Sequence, residues 1–130
     1  MFRKSGLATV ALLASMTGCG GGGEDGGSAF TPPSYGAIAL NAVTGAGGIT
    51  ANYASQSLAN SEAIKLCTGA CTVVLEFGSL MCGALARSTN LAYGWASNSK
   101  KSNAESTALS NCVSQGGKEC VIVLSQCNTS

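Results

Sequence analysis

Gly83-Ala-Leu-Ala-Arg87, Ala104-x-x-x-Ala108-Leu109-x-x-Cys112, Cys120-Val-Ile-Val-Leu124 and Cys127 follow one another through the last third of the chain. The same signs stand in the same order upstream: Gly36-Ala-Ile-Ala-Leu40, Ala59-x-x-x-Ala63-Ile64-x-x-Cys67, Cys71-Thr-Val-Val-Leu75 and Cys82. Ala54-Ser55-x-Ser57 beside Ala96-Ser97-x-Ser99 is a weaker echo. A unit written twice at this spacing is one supersecondary piece that cannot bury its apolar face alone and packs against its copy.

Each unit reads as strand, strand, helix, strand. Ile49, Ala51 and Tyr53 alternate with Thr50 and Asn52, and Val73, Leu75 and Phe77 alternate with Val74 and Glu76, which is strand periodicity. Ala59, Ala63, Ile64 and Cys67 recur at helical spacing, as do Ala104, Ala108, Leu109 and Cys112. The expected elements are strands over 35–41, 49–55 and 71–77 with a helix over 57–67, then strands over 83–88, 92–97 and 120–126 with a helix over 102–114. Gly45, Gly47 and Gly48 suit the turn of the first hairpin. Ser102-x-x-Glu105 has the form of a capping box, and Gly116-Gly117 supplies a left-handed stop. The fold class is therefore α+β: two tandem repeats, with both helices packed on one face of a mostly antiparallel sheet. Alanine-rich helices approach closely but leave a thin core, and the chain has only seven aromatic residues. Disulfides at about 2–4 kcal/mol each offset that deficit.

The N-terminal end carries an export pattern. Met1-Phe-Arg-Lys4 is basic, and Gly6 to Met16 is an apolar run too short for the roughly 20 residues that span a bilayer. Met16-Thr17-Gly18-Cys19 resembles a bacterial lipobox, so residues 1–18 are expected to be a signal peptide and Cys19 the lipidated first residue of the mature protein. Cysteine parity agrees, since seven thiols less Cys19 leave six. On an exported chain, Cys67, Cys71, Cys82, Cys112, Cys120 and Cys127 read as three disulfides. Exchange symmetry between the units leaves about seven of the 15 pairings, and short loops that tie each helix end to its following strand favour Cys67 with Cys71 and Cys112 with Cys120, with Cys82 and Cys127 as a bridge across the units. Zinc is the competing use of Cys67-x-x-x-Cys71, but the chain has no histidine and export oxidises thiols, so no metal or other cofactor is expected. Residues 19–34 form a flexible glycine-rich linker, ending at Pro32-Pro33, with a reach of roughly 20 Å. Residues 35–130 form a single domain.

Tyr35-Gly-Ala-Ile-Ala39, Cys67, Cys71, Cys82-Gly-Ala-Leu-Ala86, Tyr93-Gly-Trp-Ala96 and Ala104-x-x-x-Ala108-Leu109-x-x-Cys112 together resemble the bacterial domain-of-unknown-function 4189 family. The resemblance covers Tyr35 to Cys127 and implies a small exported domain, with no activity to carry over. One departure from the family pattern is the second strand, Ile49-Thr-Ala-Asn-Tyr53, which is less aromatic and lacks glycine.

Catalytic patterns are sparse. Without histidine there is no Ser-His or Cys-His couple. Glu62, Glu76, Glu105 and Glu119 could supply paired carboxylates for a small hydrolase, but solvated faces and a helix cap account for them more simply. Ser97-x-x-Lys100 lacks the companion elements of serine acyl-transfer enzymes, and Gly117-Lys118 is followed by Glu rather than the Ser or Thr of a phosphate loop. Asn128-Thr-Ser130 formally matches a glycosylation acceptor. Beyond residue 18, Glu24, Asp25, Glu62, Glu76, Glu105 and Glu119 face Lys65, Arg87, Lys100, Lys101 and Lys118, a near-neutral balance without the basic stripe that nucleic acid requires.

Tyr53, Tyr93 and Trp95 on the second strands, with Arg87 one strand earlier, are the candidate binding surface. The leading expectation is a non-enzymatic envelope lipoprotein that binds an envelope protein, as an inhibitor or as an accessory of an envelope complex. It would face the periplasm from the outer membrane and touch the bilayer only through its lipid. The alternative is a cell-wall glycan binder or structural envelope component.

Overall fold

The computed structural model describes residues 31–130. The expected signal peptide, Cys19 and the glycine-rich stretch up to residue 30 lie outside the described residues. Eight elements follow in the expected order: β1 (Tyr35–Leu40), β2 (Gly47–Tyr53), α1 (Gln56–Leu66), β3 (Thr72–Phe77), β4 (Cys82–Arg87), β5 (Tyr93–Asn98), α2 (Lys101–Ser114) and β6 (Val121–Cys127). All the strand pairs are antiparallel.

The strands form two three-stranded sheets, ordered β2-β1-β3 and β5-β4-β6. The two central strands show why one sheet with both helices on the same face would not suffice. Ala37, Ile38, Ala39, Ala84, Leu85 and Ala86 are all fully buried, so neither strand has a face that can meet water. On the helix side, Ala37 and Ala39 pack with Ala59, Ala63 and Cys67 of the α1 region, and Ala84 and Ala86 pack with Ala104, Ala108 and Cys112 of α2. On the other side Ile38, Leu40, Phe77 and Leu85 form a third cluster between the sheets. The molecule is thus layered helix, sheet, sheet, helix, with β1 over β4, β2 over β6 and β3 over β5. Small residues face the helices and large ones face the opposite sheet.

Regular alternation fails at one equivalent place in each unit. The register of β1 on β3 slips between Ile38 and Ala39, and that of β4 on β6 between Leu85 and Ala86. A bulged residue turns the strand over, so Val73 packs toward α1 while Val74, Leu75 and Phe77 belong to the cluster between the sheets. The second strand also begins earlier than its periodicity suggests. β2 includes Gly47 and Gly48, and Gly48 lies against α1, where a β-carbon would overlap the backbone of Ala63 and Cys67. Gly45, at φ +85°, makes the turn. Gly94 sits against α2 in the same way, over Ala108 and Cys112. This pairs Gly48 with Gly94, and hence Thr50 with Ala96, which displaces the echo at Ala54 and Ser55.

The helix ends differ from expectation at one site. α1 is capped by Ser55, whose hydroxyl accepts from the Leu58 amide at 3.1 Å. α2 starts at Lys101 with no side-chain cap, so Ser102 and Glu105 lie inside the helix and form no capping box. Instead Asn98 Oδ1 accepts from the Lys100 amide at 2.9 Å and turns the chain into the helix. The C-terminal stop is as expected: Gly116, at φ +87°, donates to the Val113 carbonyl and Gly117 to the Cys112 carbonyl.

Three disulfides join Cys67 to Cys71, Cys112 to Cys120, and Cys82 to Cys127. The pairing is the favoured one, but the third bridge does not cross between units. Cys82 opens β4 and Cys127 ends β6, paired directly in register, so both belong to the second unit. Their counterparts in the first unit are Tyr35 and Gly78, and the first unit has no such bridge. Closing a loop of four residues removes little freedom from the unfolded chain. Replacing Cys67 and Cys71 together by Ala is therefore expected to cost about 2 kcal/mol and leave a folded protein. Urea unfolding checks this, and a cost above about 4 kcal/mol would mean that the bridge also holds α1 on its sheet.

Candidate functional site

β5 is an edge strand, and its residues divide between two faces. Gly94 and Ala96 turn toward α2, so Tyr93, Trp95 and Ser97 turn toward the opposite sheet. Trp95 pairs with Leu85 across the sheet but is 36% exposed. Beside it lies a groove of about 620 Å³, bounded by the turn before β5, the β5 edge and the last turn of α2.

Each boundary is held by side-chain hydrogen bonds, most of which join segments distant in the sequence. In the turn, Asn90 accepts from the Ser88 hydroxyl at 2.5 Å and from the Lys118 amide at 3.0 Å, and donates to the Gly116 carbonyl at 3.0 Å. That network anchors the turn to the loop after α2. It also places Leu91 at φ 61°, a left-handed conformation that costs a leucine about 1–2 kcal/mol. The Leu91 side chain is nevertheless 46% exposed at the groove. On the far wall Asn111 Nδ2 donates to the Trp95 carbonyl at 3.0 Å, tying α2 to the outer edge of β5. Ser114 and Gln115 follow it on the same helix flank, both exposed.

The repeat provides an internal comparison. With Gly48 matched to Gly94, Ile49 occupies the position of Trp95 and Gly47 that of Tyr93. α1 ends at Leu66, the counterpart of Asn111, whereas α2 continues through Cys112, Val113 and Ser114. The first unit therefore forms the same sheet-and-helix layer with neither the indole nor the polar extension of the helix.

Of the candidate residues, Tyr93 and Trp95 line this groove together. The Tyr93 hydroxyl donates to the Ala42 carbonyl at 2.8 Å, so its polar tip is spent on the first unit. Arg87 pairs with Tyr93 in register, but its guanidinium donates to the Gly45 carbonyl at 2.7 Å and pins the 41–46 turn onto β4. Tyr53 lies elsewhere, on a smaller groove of about 260 Å³ with Pro32, Pro33, Asn52 and Thr129. The groove residues that periodicity did not single out include Asn90, Leu91, Asn111, Ser114 and Gln115. For Ser114 and Gln115 the one sequence signal is that helical spacing continues past Cys112 as far as Gly116-Gly117.

The acidic residues are dispersed. Glu62 pairs with Lys65 at 3.0 Å, Glu76 accepts from Asn60 at 2.7 Å, and Glu119 occupies a turn at φ 55°. Asn128 is only 4% exposed. Its carboxamide donates to the Phe77 and Gly78 carbonyls at 3.0 and 2.6 Å and accepts from the Asn52 amide at 2.7 Å. In the folded domain that side chain is a clasp for the chain end, not a glycan acceptor.

The model of a family described as a domain of unknown function, DUF4189, matches residues 35–127. No curated protein and no solved structure matches the chain.

Proposed function

The chain belongs to the DUF4189 family, and we propose that it is a non-enzymatic recognition module of the cell envelope that binds its ligand in the groove between β5 and α2. One observation carries this reading. The fold needs only Ile49 at the first unit's position, yet the second unit places there an indole that is 36% exposed, beside a strained and exposed Leu91. Exposed aromatic and apolar groups held in a fixed concave frame cost folding energy and favour binding.

The envelope setting rests on the basic and apolar N-terminal pattern ending in Cys19 and on three disulfides that need an oxidising compartment. Lipid on Cys19 would hold the domain at the periplasmic face of the outer membrane, and the glycine-rich segment 20–28 would act as its tether. The occupant of the groove is either a segment of an envelope protein or a wall glycan.

Trp95→Ile tests the groove directly because it installs the residue that the equivalent position already tolerates. The variant is expected to unfold within about 1 kcal/mol of the parent in urea, yet to lose whatever envelope component the parent retains in affinity capture. Unchanged capture by a folded Trp95→Ile variant would remove the groove from consideration.

A further inference from the structure

Resting on that reading, we propose that the groove takes an uncharged pyranose unit of a glycan, one sugar face against the indole of Trp95 and its hydroxyls on the end of α2. None of the residues lining the groove carries a charge. A carboxylate or phosphate entering it would lose water and find no cation to pair with. A wholly apolar occupant fits no better. The wall of α2 presents Asn111, Ser114 and Gln115, spaced so that all three lie on one helix flank. A pyranose matches both walls: its C–H face is apolar and suits an aromatic plane, while each ring hydroxyl both donates and accepts, as carboxamides and serine do. The volume of about 620 Å³ falls within the roughly 300–1,000 Å³ of small-molecule sites.

The rival occupant is an extended peptide that adds a strand to the free edge of β5. Asn111 opposes it. Its Nδ2 already occupies the Trp95 carbonyl at 3.0 Å, in the middle of the edge that an incoming strand would have to pair with. The same bond leaves Asn111 Oδ1 as an acceptor at the groove, which suits a hydroxyl.

Trp95 is the sole tryptophan, so its emission reports on the site without interference. The full chain in its oxidised form is titrated with two neutral trisaccharides, the β-1,4-linked N-acetylglucosamine trimer and maltotriose, and sedimented with purified peptidoglycan to separate free saccharide from wall glycan as the source. At least one trimer is expected to give a saturable blue shift below about 10 mM. Ser114→Ala with Gln115→Ala, both on an exposed helix end, is expected to weaken that binding at least about tenfold. No saturable shift with either trimer, or unaltered affinity in the double variant, overturns the proposal. If the trimers fail while Trp95→Ile still strips a protein from affinity capture, the saccharide assignment falls and the recognition module stands. If Trp95→Ile also changes nothing in capture, the groove reading falls with it.

Discussion

Replacing Gly94 by alanine is expected to destabilise the domain by more than about 4 kcal/mol, most of the margin of a protein this small. The added methyl would overlap the Ala108 carbonyl oxygen and the Cys112 amide nitrogen of α2. Both are backbone atoms of a helix whose inner residues Ala104, Ala108 and Cys112 are fully buried, so no side chain can swing aside. The helix would have to lift from β5, and the cluster of Ala84, Ala86, Ala104 and Ala108 would open with it. Gly48→Ala, at the matching place under α1, should behave alike, since its methyl would meet Ala63 and Cys67. Gly78→Ala is the control: no atom lies within 4 Å of the added carbon, and a change within about 0.5 kcal/mol is expected. Urea unfolding of the three variants decides the matter. If Gly94→Ala and Gly78→Ala unfold at the same concentration, the close approach of helix and strand is not what holds each layer together.

That close approach was half legible beforehand. Alanines at helical spacing in two copies specified the helices and their tight packing, and the apolar alternation specified strands. What periodicity could not show is the division into two sheets. Gly36-Ala-Ile-Ala-Leu40 carries an apolar residue at every position, and such a run fits a strand covered on one side by a helix and on the other by a second sheet as well as a strand within one sheet. The difference between alanine toward the helix and Ile38 or Leu40 toward the partner sheet is one of size, which a hydrophobic pattern does not weigh. The bulges that turn over β3 and β6 were hidden for the same reason: Thr72 to Phe77 and Val121 to Leu124 read as unbroken strands, and a bulge adds a residue without a signature side chain.

The third bridge shows how a correct pairing can rest on a wrong premise. By number the six cysteines divide three and three, which assigns Cys82 to the first unit. It belongs with Gly83 at the start of β4, where the first unit has Tyr35 before Gly36. The candidate surface was legible in its aromatics and not in its polar wall. Tyr93 and Trp95 stand out in a chain so poor in rings, whereas Ser114 and Gln115 gain their place only because α2 outlasts α1 by about one turn, and Asn111 stands where the first unit has Leu66.

The ring of Phe77 is the point where the two units lock, and Phe77→Ala is expected to cost about 3–5 kcal/mol. Phe77 is 3% exposed and lies between the central strands, with Gly36 of β1 and Gly83 of β4 both against its ring. Gly83 is there because the ring is: all three atoms nearest to a β-carbon at Gly83 belong to Phe77, the closest at 2.6 Å, whereas a β-carbon at Gly36 would meet the backbone carbonyl of Thr50 as well as the ring. The counterpart of Phe77 in the second unit is Gln126, so a single aromatic fills the centre of a two-unit interface and the duplication is broken there. This predicts a coupling of unusual sign. In the parent, Gly83→Ala should cost about 1–3 kcal/mol by overpacking. In the Phe77→Ala background the same methyl enters the vacated space, and the substitution should be neutral or restore part of the lost stability. Four urea curves, for the parent, the two single variants and the double variant, measure the term. Equal cost of Gly83→Ala in both backgrounds would show that the glycine answers to the strand and not to the ring.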